Sequence, residues 1–295
     1  MIWSTGPGHP RSRRLARLAM MSAAIGAAVI AATSVASASS GSATTRHLGV
    51  VPMMGTTAAK PLAAGDLIYH GGPIQPNPAV YLVFWGKQWT SDANGVQSYL
   101  TKYFQGLGLS QDHWSTVTSQ YTGQGKHPTF GSSTVLKGTW VDNAANAPRK
   151  MSAGQIAAEA RKGRAHFNAP NNTNTNIIVV SPHNTQPDGF PNAGFCAYHD
   201  ITGGLPYTNM PYVLDAGRGC GQNILGGKLD GFSIVAGHEY LEAVTDPGAG
   251  NGWIDARGEE NADKCAWMNL HKISLSTGSF AVQPTWSNKV HGCAG

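Results

Sequence analysis

Phe232 to Pro247, FSIVAGHEYLEAVTDP, sets His238, Glu239 and Glu242 among mostly apolar neighbours. Phe232, Val235, Leu241 and Val244 recur at helical intervals, and the position before Pro247 disfavours helix, so the pattern predicts a helix from Phe232 to Thr245. On it, His238 and Glu242 stand one turn apart and point the same way, with Glu239 on the adjacent face. The flanks (Ile234, Val235 and Ala236 before, Ala243 and Val244 after) make it a largely buried helix, where unpaired charges are costly. A nitrogen ligand, a carboxylate ligand and a second carboxylate so arranged fit one zinc ion and an activated water. Three residues are a short pattern, and an amphipathic helix with a solvated acidic face is the plain alternative.

The beginning of the chain reads as an export signal. Arg11, Arg13, Arg14 and Arg17 form a basic region, Leu18 to Ala32 is apolar, and Ala36-Ser37-Ala38 is a small-x-small cleavage site. Residues 1–38 are therefore expected to be removed, by the general or the twin-arginine route. The apolar run is shorter than the ~20 residues of a membrane-spanning helix, which weighs against an uncleaved anchor. Removal takes four of the five net positive charges (5 − 4 = 1), which argues against nucleic acid or a membrane surface as partner. The mature chain is expected to be a secreted monomer.

Cys196, Cys220, Cys265 and Cys293 are an even set in an exported protein, which favours two disulfides. Sequence allows three pairings. Cys196–Cys220 with Cys265–Cys293 is favoured, because each pair closes a short loop. A four-cysteine zinc site is disfavoured by the lack of any C-x-x-C.

Residues 39–67 are rich in Ala, Thr, Ser and Gly and read as a flexible lead segment before a single domain at 68–295. Within the domain, AVYLVFW at Ala79–Trp85 and TNIIVV at Thr175–Val180 read as buried strands. Ser133–Val141 alternates as a strand. Asp92–Leu107 shows helical spacing, a short helix fits His113–Tyr121, and Ser152 caps a helix from Ala153 to about Phe167. Periodicity fades from Pro182 to Lys228, which reads as a long functional or disulfide-stapled loop with a short edge strand at Met210–Leu214. Trp253–Asp255 and Ser279–Trp286 are further strand candidates.

The HE-x-x-E helix resembles that of the zincin metallopeptidases, in whose gluzincin branch an H-E-x-x-H helix supplies two ligands and a later Glu the third. The resemblance implies His238, Glu242 and Glu260 as metal ligands and Glu239 as general base. It makes Asp263 the partner that orients the ligating histidine, with Glu259 the rival of Glu260. Glu242 stands where that pattern has His. GHEYLEAVTDP, the ENADKCAW block and the closing SFAVQPTWSN also resemble a family of secreted actinobacterial and fungal proteins. Those in turn are distantly similar to plant phosphate-induced, EXORDIUM-like cell-wall proteins. The implied fold is α+β, a zincin-like single domain with a mixed sheet packed on the central helix and Met210–Leu214 at the edge nearest the site.

The implied function is a secreted zinc-dependent hydrolase, a metallopeptidase using a metal-activated water on a peptide or protein substrate. Tyr198, His199 and Tyr212 are candidate donors to the oxyanion. Asp246 is either a further ligand or a turn residue. The alternative is a non-catalytic extracellular or cell-wall protein with a structural cation site. Glycoside hydrolysis by Glu239 with Glu260 or Asp263 ranks below both, because one carboxylate lies mid-helix among apolar neighbours.

Overall fold

The computed structural model describes residues 49–55 and 65–295. The expected signal segment 1–38 lies outside the described residues. The chain is α+β. Its main sheet has six strands: β1 (Val50–Pro52), β2 (Ala79–Trp85), β3 (Leu136–Asp142), β4 (Thr175–Val180), β5 (Phe195–Thr202) and β6 (Leu205–Met210). Their spatial order is β1-β5-β6-β4-β2-β3. β3, β2, β4 and β6 pair in parallel, and β5 and β1 continue antiparallel, so the sheet is mixed. β4 is buried along its whole length, which is why TNIIVV shows no alternation.

Three helices pack on this sheet. α1 (Val96–Gly106) starts where both Asp92 carboxylate oxygens accept from the amides of Val96 and Gln97. α2 (Ala153–His166) opens with a capping box, in which Ser152 and Gln155 satisfy each other's backbone amides. Gly163 lets α2 approach the sheet closely, since a Cβ there would meet Val83 at 2.5 Å. α3 (Asp230–Thr245) is buried at all sixteen positions, and apolar residues lie on every side of it. Its Gly237 is packed under Tyr103 and Trp114, where a Cβ would come within 2.3 Å of the Tyr103 hydroxyl. Phe104 and Tyr240 join α1 to α3 edge to face. Both expected disulfides form, Cys196–Cys220 and Cys265–Cys293. No helix among the described residues is long and apolar enough to cross a membrane.

Four expectations are corrected. The segment Pro182–Lys228 is not a loop: it contributes β5, β6 and a 3-10 turn at Val213–Cys220. Its strands carry buried polar residues (His199, Thr208 and Asn209), so no alternation marks them. Met210–Leu214 is not the edge strand. β6 ends at Met210 and is interior, while the edge beside α3 is formed by β1 on β5. The lead segment 39–67 does not lie wholly outside the domain, because residues 50–52 form β1. Finally, Ser279–Trp286 is split around Pro284, which can donate no ladder hydrogen bond. Gly278–Val282 pairs with His271–Leu275, and Thr285–Ser287 with Gly292–Ala294.

The packing of α2 makes one pH-dependent prediction. Glu159 is buried beside Asp142, whose carboxylate is bonded to Lys162. Burial, and after it the hydrogen bond to Asp142, push the Glu159 carboxyl up to about 8. The folded chain thus holds a proton that the unfolded chain releases above about 4.5, so stability falls as pH rises from there to about 8. Glu159→Gln is expected to flatten that part of the melting temperature–pH curve. Parallel curves for wild type and variant would refute the assignment.

Candidate metal centre

α3 supplies the middle of the site. His238 Nε2 lies 2.9 Å from Glu242 Oε1, one turn on, and 3.4 Å from Asp263 Oδ1. It makes a geometrically sound hydrogen bond to neither, and its Nδ1 has no partner. Glu242 Oε1 also accepts from the Asp263 amide at 2.9 Å. Asp263 begins the 3-10 turn Asp263–Cys265, which the Cys265–Cys293 bridge holds. Just before it, the Asn261 amide donates to Leu241 O at 2.8 Å and to Thr245 Oγ1 at 2.6 Å, stapling the ENADKC block onto α3. The helix and that block are thus one structural unit.

β5 supplies the second histidine. His199 is 1 % exposed, with Nε2 3.0 Å from the Asp246 carbonyl and Nδ1 3.0 Å from Glu239 Oε2. A carbonyl only accepts, so Nε2 carries a proton. Nδ1 is then either a second donor, with the ring a cation paired to Glu239, or a lone pair free to bind a metal. A ring whose far N–H is held by a backbone carbonyl is oriented as metal-binding histidines are. Glu242 Oε2 lies 3.6 Å from the same Nδ1, and Glu260 Oε1 lies 3.6 Å from Nε2.

Among the described residues, two groups are therefore close enough to share an ion: His238 with Glu242 and Asp263, and His199 with Glu239 and Glu242. Glu242 belongs to both. The third group close to His238 and Glu242 is Asp263, which was expected to orient the histidine. Glu260 is brought in next to His199, buried, with neither oxygen hydrogen-bonded. Glu259 is part-buried and closes a backbone turn with Asp255. Asp246 ends the helix and accepts from the amides of Gly250 and Asn251, which is its turn role. Among the three oxyanion candidates, His199 reaches the cluster. Tyr198, its neighbour on β5, points to the other face, and the Tyr212 hydroxyl is bonded to Asn94. His199 had no local sequence signal beyond its place beside Cys196.

The electrostatics are those of an acidic interior. Glu239, Glu242, Asp246 and Glu260 are at most 1 % exposed, and among the described residues the ion-pair partners of this cluster are the two histidines. Burial opposes charging the His199 ring, but the Glu239 hydrogen bond and charge outweigh it and carry the ring up to about 9. His238 is likewise raised well above its usual range against the effect of burial, by Glu242 foremost and then Asp263. Burial, and then the Asp263 charge, lift Glu242 to about 7. Burial, with Glu242 and Asp246 nearby, raises Glu260 well above the usual carboxylate range. A cation would relieve the same repulsion that these protons relieve. The orphaned atoms of His238, Glu242 and Glu260, and a donor set of imidazole and carboxylate, fit zinc.

Fold and site together define a disulfide-bonded α+β protein built on a buried histidine–carboxylate cluster. No protein-family model, no curated protein and no solved structure matches this chain.

All four shifted groups bind protons more tightly folded than unfolded, so without metal the fold loses stability as pH rises. The Glu242 contribution is lost between about 4.5 and about 7, and that of His199 between about 6.5 and about 9. A metal ion bound there would have to displace those protons, so its affinity would rise over the same window. The chelated protein is expected to melt at progressively lower temperature from about pH 5 to 9. Added zinc should raise the melting temperature more at pH 8 than at pH 6, and equal shifts would sink this account.

Proposed function

We propose that the protein is an exported zinc-dependent hydrolase of peptide bonds, with a zincin-like arrangement of helix and mixed sheet. The observation that carries the reading is the set of orphaned polar atoms around His238, Glu242 and Glu260 in a dry acidic core. His238, Glu242 and Asp263 would hold the ion, with Glu260 the alternative to Asp263. When bound, zinc supplies a Lewis acid that polarises a carbonyl and lowers the pKa of water.

Glu239 is the base. Its Oε2 is held by His199 Nδ1 and its Oε1 accepts from the Val51 amide at 3.3 Å, so it would take a proton on the remaining lone pair of Oε1 while His199 and Val51 fix its orientation. His199 is in turn fixed by the Asp246 carbonyl, so the proton-handling residue is positioned by main chain two steps away. As a cation, His199 also favours negative charge developing beside it. The disulfides and the sequence-level export signal support an extracellular setting.

A structural cation site in a non-catalytic protein is the second reading. It is favoured by how completely Glu239 and His238 are buried.

The purified mature protein is expected to contain near-stoichiometric zinc, and His238→Ala to lose it. Glu239→Gln should keep the zinc and lose cleavage of a peptide library by roughly 10²–10⁴-fold. If the wild type cleaves nothing that the variant spares, the hydrolase reading fails and the structural site stands.

A further inference from the structure

Glu242 has a histidine on each side. Its Oε1 lies 2.9 Å from His238 Nε2, and its Oε2 lies 3.6 Å from His199 Nδ1. Each ring also meets one further carboxylate oxygen. Asp263 Oδ1 is 3.4 Å from His238 Nε2, and Glu239 Oε2 is 3.0 Å from His199 Nδ1. Donors that share one tetrahedral zinc, each at about 2.0–2.1 Å from it, stand roughly 3.3 Å apart. The four spacings, from 2.9 to 3.6 Å, bracket that separation on both sides of Glu242.

The His199 side has the atoms of a ligand set. The Nε2 proton is committed to the Asp246 carbonyl, so the ring has Nδ1 to offer. Glu239 Oε1 accepts from the Val51 amide, which leaves Oε2 turned to the ring. Among the described residues, Glu242 Oε2 and both oxygens of Glu260 are buried without a hydrogen-bond partner. The place that a Cβ of Gly49 would take is 2.4 Å from Glu260 Oε2 and 3.0 Å from His199 Nδ1, so Glu260 stands on the Nδ1 side of the ring. Gly49, in the left-handed region at φ +56°, keeps a side chain out of that place.

Charge decides between one ion and two. Glu239, Glu242, Asp246, Glu260 and Asp263 bring five carboxylates to this centre, and among the described residues their ion-pair partners are His199 and His238. With both rings neutral, one divalent cation offsets two of the five negative charges, and a second offsets two more. Repulsion between the two cations makes the second the weaker. The first therefore fills at low metal concentration and the second only at a higher one.

We propose that the cluster takes two divalent cations bridged by Glu242. The first lies on His238 Nε2, Glu242 Oε1 and Asp263. The second lies on His199 Nδ1, Glu239 Oε2 and Glu242 Oε2, with Glu260 as its further donor. Imidazole and carboxylate donors suit zinc and its first-row neighbours, and ions in such paired sites stand about 3.5–4 Å apart. The pair rests on the proposed function only for the ion beside His238. The competitor of the second ion is a proton on His199 Nδ1, which makes the ring a cation paired to Glu239.

The mature protein, stripped by chelator, is titrated with zinc by calorimetry at about pH 8, where fewer protons compete. Two ions per chain are expected, the second at least about tenfold weaker than the first. His199→Gln should keep the first and lose the second. Cobalt(II) then reports the bridge: the electron paramagnetic resonance signal per cobalt should fall at least about twofold at the second equivalent, as Glu242 couples the two ions. A wild type that takes one ion or none overturns the proposal. So does a second ion that His199→Gln retains, or one that leaves the signal per cobalt unchanged, since both outcomes mark adventitious binding elsewhere. If His199→Gln does not fold, the cobalt signal of the wild type decides. Two coupled ions without any peptide cleavage uphold the pair and refute the hydrolase alone. One ion with cleavage that Glu239→Gln abolishes refutes the pair alone.

Discussion

Mutual repulsion among buried carboxylates is the constraint that the centre of this molecule must satisfy. Glu239, Glu242, Asp246 and Glu260 lie in the interior, Asp263 lies beside them, and among the described residues His199 and His238 are the ion-pair partners of Glu239, Glu242, Glu260 and Asp263. Such a cluster is tolerable only when protons or a cation neutralise it. α3 cannot turn these groups to solvent, because every one of its sixteen positions is buried. The apolar packing that makes α3 the core is thus what forces its ionisable residues into a site.

The rest of the fold brings counter-groups to that helix. β5 delivers His199, whose tautomer is set by the Asp246 carbonyl where the helix ends. The ENADKC block delivers Glu260 and Asp263, and Asn261 ties it to the last turn of α3. Behind the block, Trp286 and Gln283 bond its backbone, and the Cys265–Cys293 bridge joins it to the end of the chain. β1 and Gly49 just before it lie against the cluster, with glycine where no side chain fits. Each support comes from a different part of the sequence, so the site forms only when the whole domain does.

Much of this was legible in the residues. The runs AVYLVFW and TNIIVV became β2 and β4, since continuous β-branched and aromatic stretches of that length bury on both faces. Ser152 with Gln155 capped α2, and Asp246-Pro247 ended α3. β5 and β6 were not legible. FCAYHDIT and LPYTNM mix buried polar and apolar residues, and their stability comes from neighbours on both sides rather than from any period of their own. β1 was hidden for the same reason, as a short apolar stretch in a segment otherwise like a linker.

By itself the sequence determined the helix, the spacing of His238, Glu239 and Glu242 on it, and the short loops that the four cysteines close. These are local properties: helical period, proline's missing amide and the entropy of closing a small loop. Only the tertiary structure decided that His199 faces Glu239, that Asp263 stands with His238 and Glu242, and that Gly49 and Val51 lie over them. Those contacts join residues far apart along the chain, 21 positions for Asp263 with Glu242, 40 for His199 with Glu239 and 188 for Val51 with Glu239. No local periodicity reports a contact that long-range packing alone creates.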